Sequence, residues 1–316
     1  MVVVAVAGGT GNIGRTIVEA IQATGKHEIK ILSRKADPAL EAELGAPIIA
    51  VNYDDVEGLA KILDDNNIHT VVSGLAMHLP GGGAPAEINL IRAADLSKTT
   101  RRMISSEWGT EITEAQRGDI PSVAHKLDAK YELEKTKDLE YTRFHNGYFM
   151  DYWGLPKVKS HMARTALVFW IDMANNAAAL PGTGETPNIF THTTDIAKFV
   201  AASLDLPKWK PDTYVKGDRL TWNQFLRHAE EAKGTKFDVV YDSPEKLKAG
   251  EISELPAQVQ LYQFFPKKLL QGMCAAFGLW FDKGLADLHP EKFINEDFPD
   301  IKPMTVKEML DKAWKE

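Results

Sequence analysis

Glycines at fixed spacing stand near the start of the chain, at Gly8, Gly11 and Gly14. They follow an apolar, mostly β-branched run (residues 2–7) and precede a stretch in which apolar residues recur at helical spacing. A glycine turn between a buried strand and a helix lets backbone N–H groups approach a pyrophosphate, which the positive end of the helix dipole also favours. The pattern therefore predicts a dinucleotide site, and a tight turn that binds nothing is the alternative. The residues predicted to bind the cofactor here are Gly8, Thr10, Gly11, Asn12, Ile13 and Gly14.

Two cations, Arg34 and Lys35, follow the second predicted strand, residues 28–33. Sites that prefer NAD usually carry a carboxylate there, because it binds the ribose 2′-hydroxyl. Arginine instead holds a 2′-phosphate with a bidentate fork, and lysine adds a point charge. The pair therefore predicts NADP(H) as the cofactor. The alternative is a solvated pair of charges, and Asp37 lies just past the end of the strand.

Further candidates stand at the ends of later strands. Ser73 and Gly74 close the fourth predicted strand, where small residues let a cofactor approach, and Asn146 and Phe149 follow the sixth, where we expect them to flank the nicotinamide. Large apolar and aromatic side chains more often belong to the hydrophobic core than to a substrate-binding site. The candidate substrate contacts are Met77, His78, Trp108 and Trp153. The nine histidines show no metal-ligand spacing, so no metal site is predicted.

Strands and helices alternate through the first half of the chain. Strands are predicted at 2–7, 28–33, 47–51, 69–75, 102–106 and 139–144, with helices between them, for example 86–97 and 127–135. This alternation predicts an α/β protein built on a Rossmann-type doubly wound parallel sheet. Right-handed crossovers in such a sheet place the ligand at the carboxyl ends of the strands.

The second half loses this alternation. Residues 177–187 are predicted to form a turn-rich loop and residues 193–203 a helix, and Thr221 is predicted to cap another helix. We predict an NADP-binding Rossmann domain over residues 1–150, with 188–205 packing back on it. A smaller C-terminal substrate-binding region is predicted over 151–187 and 206–316.

The composition of the 316-residue chain limits its partners. It has 44% hydrophobic and 26% charged residues, a net charge of −7 and no block of lysine and arginine, which argues against a nucleic-acid surface. No apolar run reaches membrane-spanning length and no signal peptide is expected before the first strand, so no membrane partner is predicted. Cys274 is the single cysteine, which excludes an intramolecular disulfide, and a reducing, cytoplasmic compartment is expected. The sequence leaves open whether the protein forms a homodimer.

Four segments occur in the order and spacing of a known family. They are residues 8–14, 32–34, 105–109 (Ser-Ser-Glu-Trp-Gly) and 141–149. Together they resemble the NmrA-like and isoflavone reductase-like proteins, an atypical branch of the short-chain dehydrogenase/reductases. The likeness covers at least residues 1–245. It implies an NADPH-dependent reductase of a small, often aromatic substrate, without naming that substrate.

The resemblance also implies a catalytic lysine on the helix after the fifth strand. Residues 126–134 match the lysine helix of the family, which assigns the catalytic role and a contact with the cofactor to Lys126; Lys130 is the alternative. Hydride transfer to a ketone or enone builds negative charge on an oxygen. A nearby ammonium group stabilises that charge and relays a proton.

A competing pair lies on the same helix. Tyr131 and Lys135 form the Y-x-x-x-K pattern typical of ordinary short-chain dehydrogenases, in which Ser105 or Ser106 would complete a triad. We place this pair second, because Lys135 stands only four residues before the strand predicted to begin at Leu139. An active-site helix of the ordinary type continues for several turns beyond its lysine.

Three functions follow from these residues and from the resemblance. The leading hypothesis is an NADPH-dependent reductase of a carbonyl or conjugated double bond in a small, aromatic metabolite. The second is a non-catalytic, redox-sensing regulator that binds NADP(H) and a protein partner, because NmrA-like proteins include such regulators. The third is an isomerase that uses bound NADP without net redox change.

Overall fold

The computed structural model describes residues 1–77, 83–162, 170–264 and 266–315. Its strands are β1 (Val3–Ala7), β2 (Glu28–Ser33), β3 (Ile48–Ala50), β4 (Ile68–Ser73), β5 (Arg102–Gly109), β6 (Glu140–His145), β7 (Tyr148–Phe149), β8 (Ile171–Asp172), β9 (Ala177–Pro181), β10 (Pro187–Thr191), β11 (Asp212–Tyr214), β12 (Asp218–Thr221) and β13 (Asp238–Asp242). Its helices are α1 (Asn12–Thr24), α2 (Pro38–Leu44), α3 (Val56–Asp65), α4 (Gly83–Leu96), α5 (Pro121–Leu133), α6 (Asp151–Gly154), α7 (Thr193–Ser203), α8 (Trp222–Lys233), α9 (Pro244–Lys248), α10 (Pro256–Leu261), α11 (Lys267–Asp282) and α12 (Val306–Trp314).

Seven parallel strands form the central sheet, in the order β11-β6-β5-β4-β1-β2-β3. The strand order reverses between β1 and β4, and ligands of such sheets bind at this switch point, outside the carboxyl ends of the strands. The predicted Rossmann-type fold is confirmed, and all six strands predicted in the first half are present. Strand β5 runs three residues further than predicted, to Gly109.

The central strands are apolar on both sides because helices cover both faces of the sheet. Val4 and Val6 of β1 face α1 and α7, whereas Ala5 and Ala7 face the layer that contains α3 and α4. Helix α7 packs along α1. The helices begin where the sequence provides caps: the Asp55 carboxylate accepts the Gly58 N–H at 2.9 Å at the start of α3.

Two further sheets of three strands each, β12-β10-β7 and β13-β9-β8, lie in the second half of the chain. The prediction of a turn-rich loop over 177–187 is therefore wrong at its start, where residues 177–181 form β9. The Ala-Ala-Ala-Leu run pairs with β8 and β13 and is buried between them. This tertiary pairing outweighs the turn tendency of the Pro and Gly residues that follow it. The turn itself follows, with positive φ at Gly182 and Gly184.

Helix α5 differs from the predicted helix over 127–135. It begins six residues earlier, because Pro121 supplies a favourable first helical residue, and it ends at Leu133. Both Lys126 and Tyr131 therefore lie within the helix, whereas Lys135 lies beyond it. None of the helices in the described parts of the chain has the length and apolar character needed to cross a membrane.

Candidate active site

Three glycines let β1, α1 and β4 approach one another at the switch point. Gly8 has φ +71°, which favours glycine, and a Cβ atom at Gly14 would lie only 2.3 Å from the carbonyl oxygen of Gly8. A Cβ atom at Gly74 would lie 2.8 Å from the Cα atom of Gly14. Larger residues at Gly14 and Gly74 would push apart backbone segments that meet directly. The predicted turn is thus a close backbone junction as well as a loop.

The first turn of α1 presents free N–H groups beside this junction. Gly11 is the residue before the helix, and no side chain caps the helix there. The first intrahelical hydrogen bond is donated by the Arg15 N–H to the Gly11 carbonyl at 3.1 Å, so the preceding N–H groups, including those of Asn12 and Ile13, have no partner within the helix. A Cβ atom at Gly11 would meet no atom within 4 Å. This uncapped, open helix start fits a pyrophosphate.

The cation pair after β2 is available to a ligand. Arg34 and Lys35 are both exposed, and neither takes part in an ion pair within the described residues. The Asp37 carboxylate does not neutralise them, because it accepts the Leu40 N–H at 3.0 Å and caps α2. The arrangement fits a 2′-phosphate, since two unpaired cations stand where NAD-preferring sites place a carboxylate.

Lys126 lies against the carboxyl end of β5. Its ammonium group donates a hydrogen bond to the Glu107 carbonyl and lies 3.5 Å from the Glu107 carboxylate. A Cβ atom at Gly109 would lie 3.2 Å from the Lys126 Nζ atom, so glycine at this position leaves room for the ammonium group. Only 20% of the Lys126 side chain is exposed, which is unusual for a lysine on a helix.

Asn146 meets the same point from β6. Its backbone N–H donates to the Gly109 carbonyl at 2.8 Å, so Gly109 has Lys126 on one side and Asn146 on the other. The Asn146 side chain is completely buried, and within the described residues both its amide nitrogen and its amide oxygen lack hydrogen-bond partners. An unsatisfied buried amide costs free energy unless a bound group completes it, so this position fits the contact with a cofactor that the sequence predicts.

A chain of buried charges continues from Lys126 to the edge strand β11. Glu107 is 3% exposed, and its carboxylate lies 3.6 Å from the Arg143 guanidinium, which binds Asp212 at 2.5 Å. His145 Nε2 lies 2.8 Å from the same Asp212 oxygen. Burial tends to raise the pKa of Asp212, but His145 and Arg143 outweigh it and hold that pKa below the usual 3.8. The sequence analysis did not select these residues, although Arg143 and His145 stand out as polar residues within a buried strand.

A second buried carboxylate, Glu87 of α4, ties together the ends of β4 and β5. It accepts hydrogen bonds from the Ser73 hydroxyl at 2.5 Å, the Ser105 hydroxyl at 2.7 Å and the Ser106 N–H at 3.0 Å. Burial raises the pKa of Glu87, and these hydrogen bonds oppose the shift. Ser73 is therefore held at the predicted position by a residue that the sequence analysis missed. Ser105 is occupied as a donor to Glu87.

The competing pair, Tyr131 and Lys135, is not assembled as a catalytic pair. The Tyr131 hydroxyl donates to Glu114 at 2.6 Å, and the Lys135 ammonium binds Glu132 at 3.0 Å with 68% of its side chain exposed. The hydrogen bond to Glu114 raises the pKa of Tyr131, the opposite of what an acid paired with a lysine needs. Lys130, the other alternative, binds Glu134 at 3.5 Å near the surface.

The candidate substrate contacts have different locations. Trp108 and Trp153 are core side chains: the Trp108 indole donates to the Ser73 carbonyl at 2.8 Å, and the Trp153 indole donates to the Ile171 carbonyl at 2.9 Å. Met77 is 4% exposed, and its carbonyl lies 3.0 Å from His125 Nδ1. His78 lies outside the described residues. The proposed substrate site therefore does not include Trp108 or Trp153, because both side chains are buried in the core.

Phe149 and Tyr152 lie near each other after β6, with ring centroids 6.4 Å apart. Phe149 is only partly buried, as a cofactor-flanking residue requires. The described residues contain no group of three or more His, Cys, Asp or Glu side chains that could hold a metal ion. The available chemistry therefore lies with Lys126, its buried carboxylate partner and the sites that fit a dinucleotide.

Known proteins resemble this chain over nearly its whole length. The model of the NmrA-like family matches residues 2–291. Oxidoreductase BOA1 of Botryotinia fuckeliana is 36% identical over 306 residues, which cover 96% of each chain. Oxidoreductase swnN of Metarhizium robertsii is 30% identical over an alignment of 341 positions including gaps, which covers 99% of this chain and 98% of that protein.

Among solved structures, leucoanthocyanidin reductase from Vitis vinifera in a ternary complex superposes with a TM-score of 0.73 at 21% identity, over 98% of each chain. A structure of AtPrR2 with NADP+ and (+)pinoresinol superposes with a TM-score of 0.77, also at 21% identity and over 98% of each chain. These two likenesses establish the fold. The family match and the curated relatives confirm the predicted family and the oxidoreductase class: the chain belongs to the NmrA-like family.

Proposed function

We propose that the protein is an NADPH-dependent reductase of a carbonyl or conjugated double bond in a small aromatic metabolite, with Lys126 as the catalytic residue. The observation that carries this proposal is that Lys126 and the Asn146 backbone both lie against Gly109, and that the buried Asn146 side-chain amide has no hydrogen-bond partner among the described residues. Relatives add support for the substrate class, since a pinoresinol reductase of Arabidopsis thaliana is 25% identical over 279 residues, 83% of this chain and 84% of that protein.

The chain offers a separate group for each part of the dinucleotide. The first turn of α1, from Gly11 to Gly14, would hold the pyrophosphate, and Arg34 with Lys35 would hold the 2′-phosphate. Ser73, Gly74, Asn146 and Phe149 would flank the nicotinamide end. NADPH supplies a hydride when it is bound.

Lys126 would stabilise the oxygen on which negative charge develops, and it would then donate a proton to that oxygen. Its ammonium group is held by the Glu107 carbonyl, so it is oriented before a substrate arrives. The Glu107 carboxyl group is 3% exposed and lies 3.5 Å from the ammonium group, so it also helps to hold that group in place. An oriented charge of this kind needs little reorganisation during the reaction, which is the main source of electrostatic stabilisation in enzymes.

The proposal is tested with Lys126→Ala and with Lys130→Ala as the matched control on the same helix. NADPH affinity is measured by calorimetric titration, and NADPH oxidation is followed at 340 nm against aromatic ketones, enones and quinones. We expect Lys126→Ala to lose at least about a hundredfold in turnover, in the range of one general acid or one oxyanion donor. Its affinity for NADPH should change only a few-fold, and Lys130→Ala should resemble the wild type.

Three results would count against the proposal. Unchanged turnover of Lys126→Ala would remove the catalytic role of the lysine. Tight NADPH binding by the wild type without turnover of any compound in a broad panel would favour the redox-sensing regulator. Substrate conversion without stoichiometric NADPH consumption would instead indicate the isomerase.

A further inference from the structure

Tyr148 lies two residues beyond Asn146, and its phenol ring contacts a group of aromatic side chains in the C-terminal region, called the aromatic cluster below. Gly147 turns the chain between them with φ +69°, and a Cβ atom there would lie 2.1 Å from the Ile189 carbonyl oxygen. The Tyr148 ring makes edge contacts with Trp170 at 5.6 Å and with Phe281 at 5.4 Å between ring centroids. The ring is only half-buried, so it lies at the border of the cluster.

Tyr152 stands beside it on α6, with the two ring centroids 5.8 Å apart. Tyr152 is also half-buried, and neither hydroxyl has a hydrogen-bond partner among the described residues. Burial raises the pKa of both tyrosines, so both phenols stay protonated and remain hydrogen-bond donors. Helix α11 packs across this point, where the Phe277 ring lies 6.5 Å from the Tyr148 ring.

Neither hydroxyl oxygen is among the buried polar atoms of the described residues that lack a partner, so both hydroxyls reach solvent at the edge of the cluster and are free to donate to a ligand. Two tyrosines outside this pair donate to protein groups: the Tyr262 hydroxyl donates to Glu254 at 2.5 Å, and the Tyr53 hydroxyl donates to the Leu32 carbonyl at 3.2 Å. Apolar surroundings with a few placed polar groups are the usual composition of a small-molecule site.

We propose that the Tyr148 and Tyr152 hydroxyls are the donors that bind an oxygen-bearing aromatic substrate, with its ring against the aromatic cluster. This assignment rests on the reductase function proposed above, because it names the substrate side of the same site. The ligand it requires is planar and apolar over most of its surface, and it carries at least one carbonyl, ether or hydroxyl oxygen as an acceptor.

The test compares two probes of nearly equal size and shape, 2-acetonaphthone and 2-ethylnaphthalene, which differ in one carbonyl oxygen. Their dissociation constants are measured by equilibrium dialysis with the full-length wild type, Tyr148→Phe, Tyr152→Phe and the double variant, each with and without NADP+. We expect the wild type to prefer the ketone by roughly threefold to tenfold for each hydroxyl that engages it. The preference should fall towards one in the double variant, while the affinity for 2-ethylnaphthalene stays unchanged.

Tyr262→Phe is the control, since it removes a satisfied phenol near the same helix and should keep the ketone preference. Thermal unfolding adds a readout without ligand: Tyr148→Phe and Tyr152→Phe should melt close to the wild-type temperature, because neither hydroxyl donates to a described protein group. A double variant that keeps the preference, a wild type without any preference, or an equal loss in Tyr262→Phe would each overturn the assignment. Dialysis requires no turnover, so failure of the reductase assay leaves this result readable by itself.

Discussion

The switch point of the sheet and the aromatic cluster of the C-terminal region are packed by opposite means. At the switch point, backbone meets backbone through Gly8, Gly14 and Gly74, and almost no side chain takes part. In the aromatic cluster, large rings such as those of Trp153 and Trp222 meet at 5.7 Å between centroids. Backbone contacts tolerate no added atom, whereas a cluster of rings accepts many shapes of similar volume.

This difference separates the two halves of the proposed site. A dinucleotide has an invariant pyrophosphate, so a rigid backbone junction is suited to it. A substrate varies between enzymes of one fold, and side chains are what changes its recognition. Substitutions that disturb one region and leave the other intact therefore provide the sharpest tests.

The largest effect is expected from Gly14→Ala. The added Cβ atom would lie 2.3 Å from a carbonyl oxygen that cannot move without shifting β1 or α1. We expect a loss of roughly 4 kcal/mol in the free energy of unfolding, or no folded protein, as measured by urea denaturation. Wild-type stability in this variant would contradict the rigid junction.

Gly11→Ala is the matched control, because its Cβ atom would meet nothing within 4 Å and its φ of −159° suits any residue. Stability should fall by less than about 1 kcal/mol. NADPH affinity should nevertheless fall by about tenfold, equivalent to about 1.4 kcal/mol, because the methyl group fills the open start of α1. Unchanged affinity would break the proposed match between this turn and a pyrophosphate.

Trp153→Phe probes the other region. The smaller ring loses buried apolar surface and the hydrogen bond to the Ile171 carbonyl, for a cost of about 2 to 3 kcal/mol in the free energy of unfolding. Urea denaturation with circular dichroism measures this loss. If Trp153 lined the substrate site instead, ligand affinity would change while stability stayed close to that of the wild type.

Arg34→Ala has a smaller effect that is confined to cofactor choice. Loss of a charge-assisted hydrogen bond costs about 1.5 to 3 kcal/mol, or roughly tenfold to 150-fold in NADPH affinity. NADH carries no 2′-phosphate, so its affinity should stay unchanged in the same calorimetric titrations. Equal losses for both dinucleotides would place Arg34 outside the 2′-phosphate site.

The smallest effect is a change in the pH dependence of stability through Asp212. Its folded pKa lies below the usual 3.8, so its contribution is complete above that value and is lost as the pH falls through the folded pKa. Asp212→Asn removes the titrating group, and the free energy of unfolding should then fall less steeply between about pH 4 and the folded pKa. Identical slopes in urea denaturation series over this range would exclude the proposed role of His145 and Arg143.

Helix α5 shows where prediction from sequence stopped. The resemblance named Lys126, but the sequence placed the start of its helix six residues late, because the proline that begins α5 lies outside the motif. Tyr131 and Lys135 matched the Y-x-x-x-K sequence pattern equally well. The hydrogen bond from Tyr131 to Glu114, 17 residues away in sequence, and the ion pair of Lys135 with Glu132 separate the two alternatives.

The sequence by itself determined the parallel sheet, the glycine turn and the cations after β2, because these depend on local periodicity and on residues adjacent in the chain. Only the tertiary structure decided that Lys126 and Asn146 meet at Gly109, that Glu87 joins two strand ends, and that Trp153 is core. It also decided that the hydroxyls of Tyr148 and Tyr152 have no hydrogen-bond partner in the described parts of the chain. The physical reason is that burial and hydrogen-bond satisfaction depend on residues distant in sequence, and no local pattern records them.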